Sequence, residues 1–363
     1  LTKKKWLEII KINYFFFYFF FIFFIYLNIN SILSFDPKIS FASSLPFIRI
    51  VLFIFALSFF INNNKKTYKG IYIMSVLSIS FLFIDTISQY FLGVDLFGNA
   101  QYNPNRISSF FRDELIMGSY VSRLLPIVLG VSFLFKFEKK YSYNLIIISM
   151  AGVLVILSGE RLAAFYYIGL FAIYFILTKK YFLKFSALII IFLVASIAYK
   201  PVIIDRFYKD TIRQISQTGS VFSYRHTLHY KTAYDMFLDK KILGVGVKNF
   251  RNFCGDKKYL ENELSCSTHP HNTYIQLLSE TGIIGFSFLI FALIYFCKYV
   301  LRHMIFKFKG KYYFTDFEIC ILSGILIYLW PIAPSGNIFN NWLNIAMIIN
   351  FPFLIWSRKS IKN

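Results

Sequence analysis

Residues 9–27 read IIKINYFFFYFFFIFFIYL, a run almost purely of Phe, Tyr and Ile. A helix needs roughly 20 apolar residues to cross the hydrocarbon core of a bilayer. The run is too long for a signal peptide and no small-residue cleavage site follows it, so it reads as a first membrane span. The whole chain of 363 residues agrees: 57% is hydrophobic, only 16% is charged, and the mean hydropathy is +0.57. A soluble domain carries about 25% charged residues. Working outward, the same rule finds about ten spans: Ile9–Leu27, Leu45–Ile61, Gly70–Leu92, Leu115–Phe135, Tyr143–Leu157, Arg161–Leu177, Phe182–Tyr199, Ile283–Tyr299, Phe317–Ala333 and Ile338–Trp356. Residues 1–363 are therefore expected to form one all-α polytopic membrane domain.

The net charge of +21 belongs to loops and not to a nucleic-acid surface. Lys3–Lys5, Lys65–Lys69, Lys136–Lys140, Lys179–Lys184, Lys298–Lys311 and Arg358–Lys362 make every alternate short connection basic. The connections Asn28–Ser44, Gly93–Glu114 and Pro334–Asn341 are nearly neutral. The positive-inside rule then places both termini in the cytoplasm, with Leu1 leaving the true start open. One outer connection, residues 200–273 between spans seven and eight, is long and polar. Long loops are uncommon unless they have work to do. This one holds four of the five histidines: His226, His229, His269 and His271.

In the run His269-Pro-His271-Asn272…Glu280-Thr-Gly282, Asn272 reads as a helix N-cap and Gly282 as a stop or bend. His271 thereby precedes a helix N-terminus, where the partial positive charge favours neutral imidazole or an anionic ligand. Such a histidine can accept a proton from a hydroxyl at neutral pH. Two loop histidines packing on Tyr and Pro are the plainer alternative. If residues 224–229 are helical, Arg225 and His229 share a face. Gly244-Val-Gly246 lacks the third glycine of a dinucleotide fingerprint and reads as a turn. Four histidines raise zinc, but no carboxylate or Cys stands at a convincing spacing, so no metal and no cofactor is expected.

Arg49, Arg106, Arg112, Arg123 and Arg161 fall at or near outer span ends, against the positive-inside bias. The guanidinium fork suits phosphate oxygens, so these five are expected to bind an anionic, lipid-linked diphosphate. Snorkelling is the alternative for any one of them. Cys254 and Cys266 share the outer loop and are expected to pair, closing a loop worth roughly 3 kcal/mol. Cys297 and Cys320 read as packing thiols. Apart from Asp85 and Arg123, charges sit towards span ends, which disfavours a transporter with paired mid-membrane charges.

Four elements together resemble the O-antigen ligase/polymerase superfamily of bacterial envelope glycosyltransferases. They are the Gly159-Glu160-Arg161 turn, Arg225 running into Leu243-Gly-Val-Gly246…Asn249-Phe250, the His269–Gly285 run, and Pro334-Ser-Gly-Asn…Phe339-Asn-Asn-Trp342. The family more often has Ser-Arg at the first turn. The resemblance implies a GT-C-like membrane fold with a large, mostly helical periplasmic loop over the site. It also implies metal-independent, inverting transfer of a glycan from an undecaprenyl diphosphate carrier to a sugar hydroxyl on the periplasmic face of the inner membrane. The acceptor would be lipid A–core in a ligase, the expected activity, or another lipid-linked repeat in a polymerase. Arg161, Arg225 and His271 match the family's catalytic positions. His269, Asn272 and Glu280 join the arginines as expected donor or acceptor contacts.

Overall fold

The computed structural model describes residues 14–136, 140–178, 205–220, 222–339 and 342–360. Among them the chain is helical, with two isolated bridges, Val94–Ala100 and Asn103–Arg106, and no strand. The order is α1 (Tyr14–Ile32), α2 (Pro37–Ser44), α3 (Ile48–Asn63), α4 (Lys65–Leu92), α5 (Met117–Ser132), α6 (Lys140–Leu157) and α7 (Arg161–Leu177). Then follow α8 (Asp210–Thr218), α9 (Tyr224–Asp239), α10 (Phe250–Phe253), α11 (Thr273–Phe308), α12 (Asp316–Tyr328), α13 (Trp342–Ile348) and α14 (Asn350–Ser360).

Among the described residues four helical runs are long and apolar enough to cross a membrane: α1, the run Pro37–Asn63, α4 and α11. Four of the ten expected spans coincide with them. Of the other six, α5, α6 and α7 are apolar helices of 16–18 residues, which rise about 25 Å against a hydrocarbon core of about 30 Å. The ninth stops at Tyr328, the tenth divides into α13 and α14, and Phe182–Tyr199 lies outside the described residues.

Helix α5 is the axis of the bundle. It packs on α4, α6, α7 and α12, and every one of its residues except Tyr120 is buried. Small residues allow that close approach. A Cβ on Gly130 would stand 3.1 Å from Ile321 Cδ1, and one on Gly118 would collide with the Ser158 hydroxyl.

Helix α11 is broken at Gly282, whose φ of 62° and ψ of −168° suit only glycine. The break strands carbonyls, and the turn containing Gly244 and Gly246 satisfies them. Val245 N donates to Ser279 O (2.9 Å) and Gly246 N to Glu280 O (2.9 Å), while Ile283 N donates to Lys241 O (2.9 Å). Any Cβ on Gly244 or Gly282 would strike the opposing backbone. The α1–α2 corner closes over the other side: Val247 N donates to Asn30 Oδ1 (3.2 Å) and Ser40 Oγ to Val247 O (2.9 Å). The described part of the connection 200–273, carrying α8, α9 and α10, is thus bolted to the apolar helices. It has a small core of its own, built on Ala233, Met236, Val245, Phe250 and Tyr259.

Candidate functional site

At the start of α5 and α7 a cavity of about 600 Å³ opens under α8 and α9. Its wall holds Arg106, Arg123, Glu160 and Arg161 from the membrane side, and His226, His269 and His271 from the loop side.

The arginines are held by different means. Arg161 opens α7, and its Nη1 donates to Thr211 Oγ1 (3.2 Å) and Gln214 Oε1 (3.1 Å) of α8. Arg106 braces the turn below it, Nε to Ser158 O (3.0 Å) and Nη2 to Leu115 O (2.7 Å). Arg123 is buried, lies 4.7 Å over the Tyr166 ring and donates from Nη1 to Ser119 O (2.9 Å); its Nε has no hydrogen-bond partner.

Glu160 has a task that the sequence did not disclose. It is the N-cap residue of α7, yet its carboxyl serves α5 instead. Oε1 accepts from Gly118 N (2.8 Å) and Ser119 N (3.2 Å), and Oε2 from Ser119 Oγ (2.6 Å). An acceptor there meets the unsatisfied first-turn N–H groups and the dipole of α5. Burial pushes this carboxyl above its ordinary range, opposed by the Ser119 hydrogen bond and by Arg106.

Four histidine rings face one another on the loop side. The His271 ring lies 4.1 Å from that of His269, 5.0 Å from His226 and 5.2 Å from His229, centroid to centroid. His271 is in the left-handed region at φ 59°, uncommon for a residue with a side chain. Its carbonyl accepts from Ser335 N (2.9 Å), and Ser267 Oγ lies 3.1 Å from its Nε2. His269 Nε2 is 3.3 Å from Ser335 O. Desolvation, and then the neighbouring histidines, lower His271 to about 3. Desolvation lowers His269 to about 4 against the Ser335 contact, and His226 and His229 are also lowered, chiefly by burial. All four rings are therefore neutral at pH 7. Among the described residues no group of three or more His, Cys, Asp or Glu is placed to hold a metal ion.

Cys254 and Cys266 are disulfide-bonded, Cα to Cα 5.0 Å. The bridge fixes the chain three residues before His269.

Five expected site residues stand outside the cavity wall. Asn272 is the N-cap of α11, accepting from Tyr274 N and Ile275 N and donating to Pro331 O and Ala333 O. Its amide is committed and it does not line the cavity. Glu280 is fully buried, accepting from Phe250 N (3.2 Å) and Gln276 Nε2 (3.0 Å), so it anchors the loop and touches no cavity. Arg49 is exposed and donates to its own turn at Pro46 O, and Arg112 is exposed in the connection between α4 and α5. Arg225 lies on the exposed face of α9, outside the cavity wall, and its charge adds to the burial that lowers His229. His229 stands behind the wall, in ring contact with His271. Conversely, Thr211 and Gln214 reach the site without having been singled out, and Ser335 brings the Pro334-Ser-Gly-Asn run to it.

The family model for O-antigen ligase matches residues 145–290. This stretch of the chain is similar to the O-antigen ligase family. Arg161, Arg225 and His271, the three positions that the sequence motifs assigned, all fall inside the matched stretch, whereas Arg106 and Arg123 precede it. No curated protein matches the chain. The O-antigen ligase family groups membrane enzymes of ligase or polymerase type acting on lipid-linked glycans, and the apolar helices place this domain in a membrane.

Proposed function

We propose that the cavity transfers a glycan from undecaprenyl diphosphate to a sugar hydroxyl of lipid A–core. The observation that carries this reading is the opposition of three arginines and a neutral histidine cluster across one cavity. The acceptor oxygen attacks the anomeric carbon, the bond from that carbon to the diphosphate oxygen breaks, and the electron pair leaves with the phosphate. Direct displacement inverts the anomeric centre. Charge grows on the phosphate oxygens in the transition state, where preorganised guanidinium groups stabilise it most. The acceptor proton passes to His271, which the protein keeps neutral. A diphosphate in the cavity favours imidazolium and so strengthens this base as the reaction needs it.

In this reading the chain crosses the inner membrane about ten times in a GT-C-like arrangement, with both termini cytoplasmic and the cavity periplasmic. The alternation of basic and neutral connections supports that topology, and a disulfide on the cavity side suits an oxidising compartment. Deletion of the gene tests acceptor choice. Lipopolysaccharide from the deletion strain is expected to carry core without O-antigen. A band of core plus one repeat would assign polymerisation instead, and an unchanged ladder would remove both.

A further inference from the structure

A second pocket has its polar end far from the histidines. Between α1 and α11 an apolar groove of about 120 Å³, walled by Phe15, Phe19, Phe288, Phe291 and Ala292, runs from Leu277 and Leu329, beside the first part of α11, towards the other end of the bundle. It leads into a smaller pocket of about 90 Å³, and Phe16, Tyr295 and Phe296 line both. The smaller pocket is closed by Arg358 of α14. Tyr299, which also lines it, stands seventeen residues beyond the Gly282 break, about 25 Å along the helix. It is therefore remote from the histidines.

The polar end is cationic and incompletely neutralised. Arg358 lies over the rings of Phe314 (4.1 Å), Tyr313 (4.7 Å) and Tyr299 (5.3 Å). Arg302 lies 4.6 Å over the same Tyr313 ring, so two guanidinium groups share one aromatic face-partner. Among the described residues the carboxylate paired with Arg358 is Glu318, whose Oε1 stands 3.7 Å from Arg358 Nε, beyond hydrogen-bond distance. Glu318 is already occupied: Oε2 accepts from Thr315 N (3.0 Å) and Thr315 Oγ1 (3.1 Å), and Oε1 from Ser357 Oγ (3.2 Å). Among the described residues Arg358 makes no hydrogen bond.

We propose that this composite pocket holds one anionic phospholipid, its phosphodiester on Arg358 and an acyl chain along the phenylalanine groove. The groove excludes a polar occupant, and the fork of Arg358 matches phosphate oxygens. Arg302, over the same Tyr313 ring, adds a second positive charge that selects a net negative headgroup over a zwitterionic one. A lipid seated there joins α1 to α11 and α14, and so stabilises the folded bundle by mass action.

The test uses the full chain in neutral detergent, with thermal unfolding followed after adding phosphatidylglycerol or phosphatidylcholine. Phosphatidylglycerol is expected to raise the midpoint and phosphatidylcholine to leave it unchanged. Arg358→Gln should abolish the rise by removing the phosphate partner, and Ala292→Trp should abolish it by filling the groove while leaving every charge in place. Equal shifts with both lipids, or an undiminished shift in both variants, would overturn the proposal. So would mass spectrometry finding a polyprenyl lipid, released by Ala292→Trp, as the co-purifying occupant. Should Arg358→Gln fail to fold, headgroup selectivity in the unaltered protein and the Ala292→Trp result decide the matter alone. Neither readout depends on glycosyl transfer.

Discussion

Arg161 and His271 show what single residues contribute. Arg161 spends Nη1 on Thr211 and Gln214, which aims the guanidinium into the cavity. Lysine keeps the charge but loses the planar fork. Arg161→Lys is expected to lower transfer by roughly 10²-fold, the scale of losing one preorganised donor at a developing anion, with membrane insertion unchanged. Near-normal rates in purified variant would show that a point charge suffices. The histidines yield a stability prediction with a definite sign. His271 at about 3 and His269 at about 4 lie below the unfolded value of 6.5, so between these limits the unfolded chain binds more protons. Stability contributed by the neutral rings is complete above pH 6.5 and is lost as pH falls towards 3. Amide protection in residues 224–272, corrected for the intrinsic pH dependence of exchange, should therefore fall from pH 7 to pH 5, and His271→Gln should flatten that dependence. The settings of both were legible because their signals are local, a tight turn and a helix start, and the Asn272 cap was legible for the same reason. The long-range partners of Asn272 and Glu280 were not, because Pro331 and Phe250 are 59 and 30 residues distant.

Among the elements, the broken helix α11 organises the rest. Its first part carries the cap that presents His271, and its second part descends into the bundle. Gly282→Ala is expected to cost about 1–3 kcal/mol from the backbone conformation alone, and the collision with Ile242 adds to that. Yield of folded protein and thermal midpoint should both fall, more than for Gly310→Ala, whose glycine also has positive φ but faces open space. Apolar length revealed where helices run. It did not reveal where they break, because the division of the last span into α13 and α14 and the kink at Gly282 depend on neighbours. Gly244 and Gly246 looked like an isolated turn until the carbonyls of Ser279 and Glu280 supplied their partners. The Glu160 cap on α5 was equally hidden, since donor and acceptor are about 40 positions apart.

At the scale of the whole molecule, the membrane character followed from composition, and the family from motifs spread over residues 158–342. The assembly of the cavity from five separated segments could not be read from either. Phosphate neutralisation is assigned to arginine, so transfer by purified protein is expected to persist in EDTA. Activity lost in EDTA and restored by zinc or magnesium would overturn that assignment and make the histidine cluster a metal site.

The charge of the cavity has a further consequence for turnover. Among the described residues that line the cavity, Arg106, Arg123 and Arg161 stand with one carboxyl, that of Glu160, whose oxygens are already occupied by α5. Groups that stabilise a departing diphosphate do not release it once it has departed. The spent carrier should therefore leave slowly, and its exit should limit the cycle even when chemistry is fast. Rapid mixing is expected to show a burst of one glycan per protein followed by a slower steady rate, with the steady rate rising with ionic strength. A linear time course from the first turnover would place the slow step in the transfer itself.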